Sequence, residues 1–138
     1  MPHGYSAVCS RLRGNAGFWC REWQKHGRCS LFSNQLAYFN RAVELWTTYN
    51  KRIENIFWSA LYVSRNRHLW VNSSYFAEEI RNVFDIHPAL RCDEPEYVPR
   101  DGWLKLREVI LCFDAAGEFL RDCPPWRTNC RLDILYSL

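Results

Sequence analysis

The densest run of polar chemistry in the chain is FWCREWQKHGRC, residues 18–29. Written as a helix, it places Glu22 and His26 four positions apart and Glu22 and Lys25 three apart. A carboxylate, an ammonium and an imidazole therefore share one face. An imidazole gives and takes protons near neutrality. An ammonium neutralises the charge that builds on non-bridging phosphate oxygens, and a carboxylate holds the imidazole in place or supports its proton transfer. The set suits phosphoryl chemistry. An ordinary amphipathic helix laced by Glu–Lys and Glu–His pairs has the same spacing, so spacing alone leaves both readings open. Trp19, one turn before Glu22, and Trp23 on its other side are rings that would anchor the helix while its polar face lines a cleft.

The elements that must position this segment can be read from periodicity. Residues 1–17 read as irregular, and a first helix is expected from Phe18 to His26, with Asn15 near its start. Gly27 is the natural stop, because the position after a helix often needs positive φ. A polar linker, Arg28 to Ser33, leads to a longer helix whose Leu36, Phe39, Val43, Trp46, Tyr49 and Ile53 recur at three- and four-residue steps, one stripe. Residues 54–71 leave helix and strand open, with SRNRHLW as a basic loop. Ser73 or Ser74 is expected to cap the next helix, with the stripe Phe76, Ile80, Val83 and Phe84 and a stop at Pro88. Cys92 to Gly102 reads as a loop. LKLREVILCF, residues 104–113, alternates and then turns apolar on both faces, a strand entering a core from an exposed edge. Asp114 to Gly117 is a turn, residues 118–122 are expected to pair back antiparallel on residues 106–113, and Leu132, Ile134 and Tyr136 suggest one more strand. Helices first and strands last give an α+β domain with a C-terminal antiparallel sheet.

At 138 residues, length allows one domain, 1–138. Lys plus Arg is 18 and Asp plus Glu is 15, a balance that permits a polyanionic partner without demanding one. No block of basic residues builds a strong nucleic-acid stripe. No segment approaches the ~18 apolar residues of a membrane span, so no membrane partner is expected. The start, MPHGYSAVCSRLRGN, has no apolar core of a signal peptide. Seven cysteines point to an oxidising compartment, and the odd count leaves at least one without an intrachain partner. With no C-x-x-C, a zinc ribbon or redox motif is not expected, and no metal ligands are assigned.

The segment 18–29 resembles the second active-site segment of the T2 family of ribonucleases, usually FW-x-HEW-x-KHG-x-C. Phe18, Trp19, Glu22, Trp23, Lys25, His26, Gly27 and Cys29 all match. Downstream, Tyr38-Phe39 with Ala42 and Leu45 is similar to the family's YF helix. LREVILCFDAAGEFLRDCP, residues 106–124, is similar to the plant-type end of the domain, as is Cys130. The resemblance implies a partial T2-ribonuclease-like fold and cleavage of single-stranded RNA with no metal or other cofactor. The 2′-OH attacks phosphorus, the 5′-oxygen leaves, and a 2′,3′-cyclic phosphate forms. It implies that His26 acts in acid–base catalysis and that Glu22 and Lys25 stabilise the pentacovalent phosphate. At position 21 the family often carries a second histidine that contacts phosphate. Arg21 still donates to a phosphate but is no base at neutral pH.

The family's earlier segment, HGLWP, supplies the other catalytic histidine several tens of residues upstream. Only His3-Gly4 repeats its first two letters here, so the chain reads as a member lacking its first third, with impaired activity expected. The resemblance pairs Cys112 with Cys123 and Cys92 with Cys130. It leaves Cys29 without its usual partner, free for an intermolecular disulfide in an otherwise monomeric chain. Cys9 and Cys20 have no obvious counterpart; either is a possible partner for Cys29. The compartment it implies is extracellular, secretory or vacuolar, where the sequon Asn72-Ser73-Ser74 becomes relevant. His68 and His87 read as surface or capping residues. Trp58, Trp70, Trp103 and Trp126 read as packing, with base stacking the alternative. Three functions compete: a T2-type endoribonuclease, a catalytically inactive RNA-binding or protein-interaction remnant, and a disulfide-stapled structural protein.

Overall fold

The computed structural model describes residues 7–63, 69–93, 104–130 and 134–135. His3, His68 and Trp103 lie outside them, as do Leu132 and Tyr136. Four helices, α1 (Ala7–Ser10), α2 (Gly14–Lys25), α3 (Gln35–Ser59) and α4 (Ser73–Phe84), occupy most of the first two thirds. The strands are β1 (Tyr62–Val63), β2 (Leu69–Val71), β3 (Ala89–Cys92), β4 (Leu104–Ile110), β5 (Cys112–Phe113), β6 (Leu120–Arg121) and β7 (Ile134–Leu135). The main sheet runs β1-β2-β7-β4-β3 and a two-stranded ribbon pairs β5 with β6. The arrangement is α+β, with mostly antiparallel pairing; β7 runs parallel to β4.

The helix around the polar segment starts earlier than its periodicity suggests. Gly14, at φ +60°, turns the chain after Arg13 and opens α2, so Asn15 lies inside the first turn. The residues before it carry the short α1. The open segment 54–59 completes α3, which runs 25 residues from an Asn34 cap whose side chain accepts from the Ala37 amide. For α4 the cap is Asn72, accepting from the Tyr75 amide at 2.9 Å, where the sequence pointed to Ser73 or Ser74. Ser73 instead is buried in the first turn. That helix ends on Asp85 in the left-handed region, φ 56°.

The core lies where the C-terminal half of α3 and α4 meet the sheet. Phe57 and Phe76 meet edge to face at 5.3 Å, with Val71, Ile80, Ile86 and Leu90 closing around them. Two expectations need correction, the loop beginning at Cys92 (its residues 94–102 lie outside the described ones) and the long hairpin. Residues 89–92 form a strand that pairs with β4 through Ala89–Ile110 and Cys92–Leu106, with an irregularity at Arg91/Cys92. No alternation marks it, because both faces are largely buried. The hairpin expected over 106–113 and 118–122 shrinks to Cys112–Arg121 and Phe113–Leu120, since β4 is already committed to β3 and β7.

The disulfides are Cys92–Cys130, Cys112–Cys123 and Cys9–Cys20, and Cys29 is free and exposed. Cys9 and Cys20 therefore satisfy each other across α1 and α2, with Cα atoms 5.6 Å apart. One cysteine is left over, where the resemblance left three.

Candidate functional site

The polar segment runs from the last two turns of α2 through the cap residue His26 into the 3-10 turn Gly27–Cys29. Glu22 and His26 approach across one turn, with Oε2 and Nε2 3.7 Å apart and both side chains open to solvent. The backbone follows suit, because the His26 amide donates to the Glu22 carbonyl at 2.9 Å. Lys25 is exposed and makes no ion pair among the described residues. Arg21 stands one turn before it, its guanidinium lying back over Gly17. The Glu–Lys half of the expected lacing is therefore unmade among the described residues.

Three anchors fix this stretch. Trp19 meets Phe39 edge to face at 4.4 Å, and Trp23 meets Tyr38 at 5.7 Å, so both rings hold α2 against the start of α3. The Cys9–Cys20 bond ties α2 to α1. Beyond the helix the Leu31 amide donates to the Ala115 carbonyl, and Arg41 Nε donates to the Gly117 carbonyl at 2.8 Å. The first bond holds the chain just past the segment, and the second holds α3, against the turn at residues 114–117, where Gly117 adopts φ +66°.

Gly27 ends α2 for a different reason from the one its position suggested. Its φ is not positive; the chain passes into a 3-10 turn over Gly27–Cys29. A side chain at Gly27 would collide with the six-membered ring of Trp23. The Ser30 hydroxyl donates back to the Gly27 carbonyl and closes the turn.

A cavity of about 270 Å³ opens beside His26, lined also by Cys29, Phe32, Tyr38, Arg41 and Asp114. Tyr38 and Arg41 were not marked as site residues by the sequence. They are one helical turn apart, in a helix with no acid–base pattern of its own, and only the docking of α2 brings them to His26. Burial raises the Tyr38 phenol above its ordinary value, and the nearby charge of Glu22 raises it further. Asp114 is held below the usual carboxylate range, first by the Glu118 amide that donates to it at 2.8 Å.

His87 is elsewhere. It lies exposed before β3, its amide donating to Asp122 and its carbonyl accepting from Cys123. Trp58 and Trp70 belong to α3 and β2, and Trp126 is exposed on a 3-10 turn; none lines the cavity beside His26.

The sequence pattern of the Ribonuclease T2 family matches residues 5–123. Extracellular ribonuclease LE of Solanum lycopersicum is 30% identical over 127 residues, covering 90% of this chain and 51% of its own length. Ribonuclease MC1 from the seeds of bitter gourd superposes with a TM-score of 0.65 at 29% identity, covering 89% of this chain and 61% of that one. A variant of it in complex with 5′-GMP gives 0.66. Japanese pear S3-RNase gives a TM-score of 0.63 at 26% identity, covering 86% and 60%. The chain spans about half the length of the curated relatives it matches.

Proposed function

The chain belongs to the ribonuclease T2 family, and on that premise we propose that it acts on single-stranded RNA by transesterification to a 2′,3′-cyclic phosphate, without a metal. The observation that carries this reading is the Glu22 carboxylate 3.7 Å from His26 Nε2. Cleavage moves two protons: one leaves the attacking 2′-OH and one reaches the departing 5′-oxygen. His26 carries one of these transfers. Glu22 orients the ring and, with Lys25, offsets the change of charge as the pentacovalent phosphate forms. Arg21 presents planar N–H donors to an adjacent phosphate. Three disulfides fit an oxidising compartment, and with the family's secreted members they support a secretory or extracellular setting.

A second reading, RNA or protein binding with little catalysis, is favoured by one observation. Among the described residues no second histidine lines the cavity beside His26. Each positioned proton transfer is worth about 10²–10⁴-fold, so on this reading cleavage by the 138-residue chain is slower by that order than with two positioned histidines.

The experiment is cleavage of a fluorescent single-stranded RNA at pH 5 to 7 with chelator present. Slow cleavage abolished by His26→Ala is expected. Cleavage indifferent to His26→Ala would overturn the assignment. RNA binding without any cleavage would select the second reading. Loss of activity in His3→Ala would place the second histidine at position 3.

A further inference from the structure

Asn72-Ser73-Ser74 is the one Asn-x-Ser/Thr tripeptide, with x not proline, in the 138 residues, and the ribonuclease reading leaves it unused. The fold places it at a junction. β2 ends at Val71 and α4 begins at Ser73, so Asn72 is an extended residue, at φ −71° and ψ 122°, and also the helix cap. Sides alternate through the junction. Val71 and Ser73 are buried, 0% and 7% exposed, while Trp70 and Asn72 are partly open and Ser74 is exposed. The side chains of Asn72 and Ser74 therefore stand on the solvent side.

The Asn72 carboxamide has two ends with different duties. Oδ1 accepts from the Tyr75 amide at 2.9 Å and caps α4. Nδ2 is the atom that can take a sugar, and after doing so it keeps one of its two N–H groups while Oδ1 stays an acceptor. A glycan can thus be carried without giving up the cap. We propose that Asn72 is an N-linked glycosylation site, loaded while this segment is still unfolded and retained as the cap of α4 afterwards. In the transfer a bond forms between Nδ2 and the anomeric carbon of a sugar held as a lipid-linked diphosphate. The bond from that carbon to the diphosphate oxygen breaks, its electron pair leaves with the diphosphate, and one amide proton passes to a base of the transferase. The order follows from burial. In the fold Ser73 is enclosed and the Phe76 amide donates to the Asn72 carbonyl at 2.9 Å, so the tripeptide is already wound into the first helical turn. In the cell the proposal rests on the secretory setting of the previous section.

The test incubates the 138-residue chain with purified oligosaccharyltransferase and its lipid-linked donor. Both are supplied directly, so failure bears on the site and not on the setting. The reduced, unfolded chain should gain one glycan at Asn72, read as a mass increase that peptide N-glycosidase removes. The folded, disulfide-bonded chain should be modified about tenfold more slowly or less, because the tripeptide is reached only through local unfolding. Ser74→Ala, at an exposed position, should abolish the transfer with the circular dichroism unchanged, whereas Ser73→Ala changes only the middle residue and should leave it intact. Refolded with its disulfides, the glycosylated chain should show Tyr75 amide exchange as slow as the unmodified chain. Asn72→Ala, which removes the cap, should speed that exchange about tenfold. No transfer to the unfolded chain overturns the proposal, and so does equal transfer to the folded one. Loss of Tyr75 protection on glycosylation would show that sugar and cap compete, and overturns it as well.

Discussion

Trp23 closes over Gly27 so tightly that a methyl group on the glycine would overlap its six-membered ring. One turn of helix thus links the ring that docks α2 on Tyr38 to the glycine that follows His26. The pairing leaves no room for a side chain at the first residue of the 3-10 turn that follows His26.

Gly27→Ala should therefore cost about 1–3 kcal/mol, as overpacking does. Relief has to come from Trp23, which moves α2 against α3. Urea unfolding of the variant should show a lower midpoint with an unchanged slope, and Trp23→Ala should recover part of the loss when combined with it. Additive losses in the double variant would show that the two residues do not press on each other.

The second expectation concerns Tyr38 and Glu22. Burial, and then the Glu22 charge, hold the Tyr38 phenol above its ordinary value. A raised phenol favours the protonated folded state. Its contribution to stability is complete below the ordinary value of about 10 and is lost as pH rises from there through the folded value. Difference absorbance between the chain and Tyr38→Phe should reveal a late-titrating tyrosine. In Glu22→Gln that titration should move down but stay above the ordinary value, because burial is the larger cause. A return to the ordinary value would make Glu22 the main cause instead.

Local patterns and tertiary placements differed in how far they could be read. Glu22 and His26 meet as their four-residue spacing requires, because a helix face is set by the chain itself. The stripe of α3 was equally visible, yet periodicity cannot say which apolar residues find a partner. Val43 and Trp46 remain open while Ile53 and Phe57 are packed. β3 was hidden because a doubly buried strand has no alternation. Asn72 was passed over for Ser73 or Ser74 although all three residues are good caps, and the choice depends on where the backbone enters the helix. Tyr38 was visible only as part of the YF match and Arg41 not at all, because both come to the cavity beside His26 only through the docking of two helices.

Asp114 should make the turn at residues 114–117 acid-sensitive. Its carboxyl is held below the ordinary value of about 3.9 chiefly by the Glu118 amide, with Phe119, Arg121 and Gly117 adding to it. The sign follows from the depressed value: the contribution is present above the ordinary carboxylate range and is lost as pH falls through the folded value. Asp114→Asn should be less stable than the parent at pH 7, and the gap should close as the solution is acidified below pH ~4. Since Gly117 in this turn receives Arg41, amide exchange at residues 115–118 should accelerate in the variant. A gap that persists unchanged to low pH would mean that the charge on Asp114 contributes nothing.

The three disulfides should differ in what their loss does. Cys92–Cys130 spans 38 residues and sits in the core, whereas Cys9–Cys20 and Cys112–Cys123 each span 11. Loop-closure entropy gives about 4 kcal/mol for the long loop and roughly 3 for each short one. Replacing Cys92 and Cys130 by alanine adds lost packing beside Leu90 and Val71, so this pair should give the largest drop in urea midpoint. Removing Cys9–Cys20 should leave the core formed by α3, α4 and the sheet intact and act locally instead. It ties α2 to α1 outside that core, so amide exchange should rise along residues 14–29 before it rises in α4. The aromatic contacts to Phe39 and Tyr38 would then be the main restraint on the helix that carries Glu22, Lys25 and His26. On the proposed function, RNA cleavage in the Cys9→Ala, Cys20→Ala variant should fall while the urea midpoint of the core changes little. Equal exchange rates in α2 and α4 after that change would show that the first disulfide belongs to the same cooperative unit as the core.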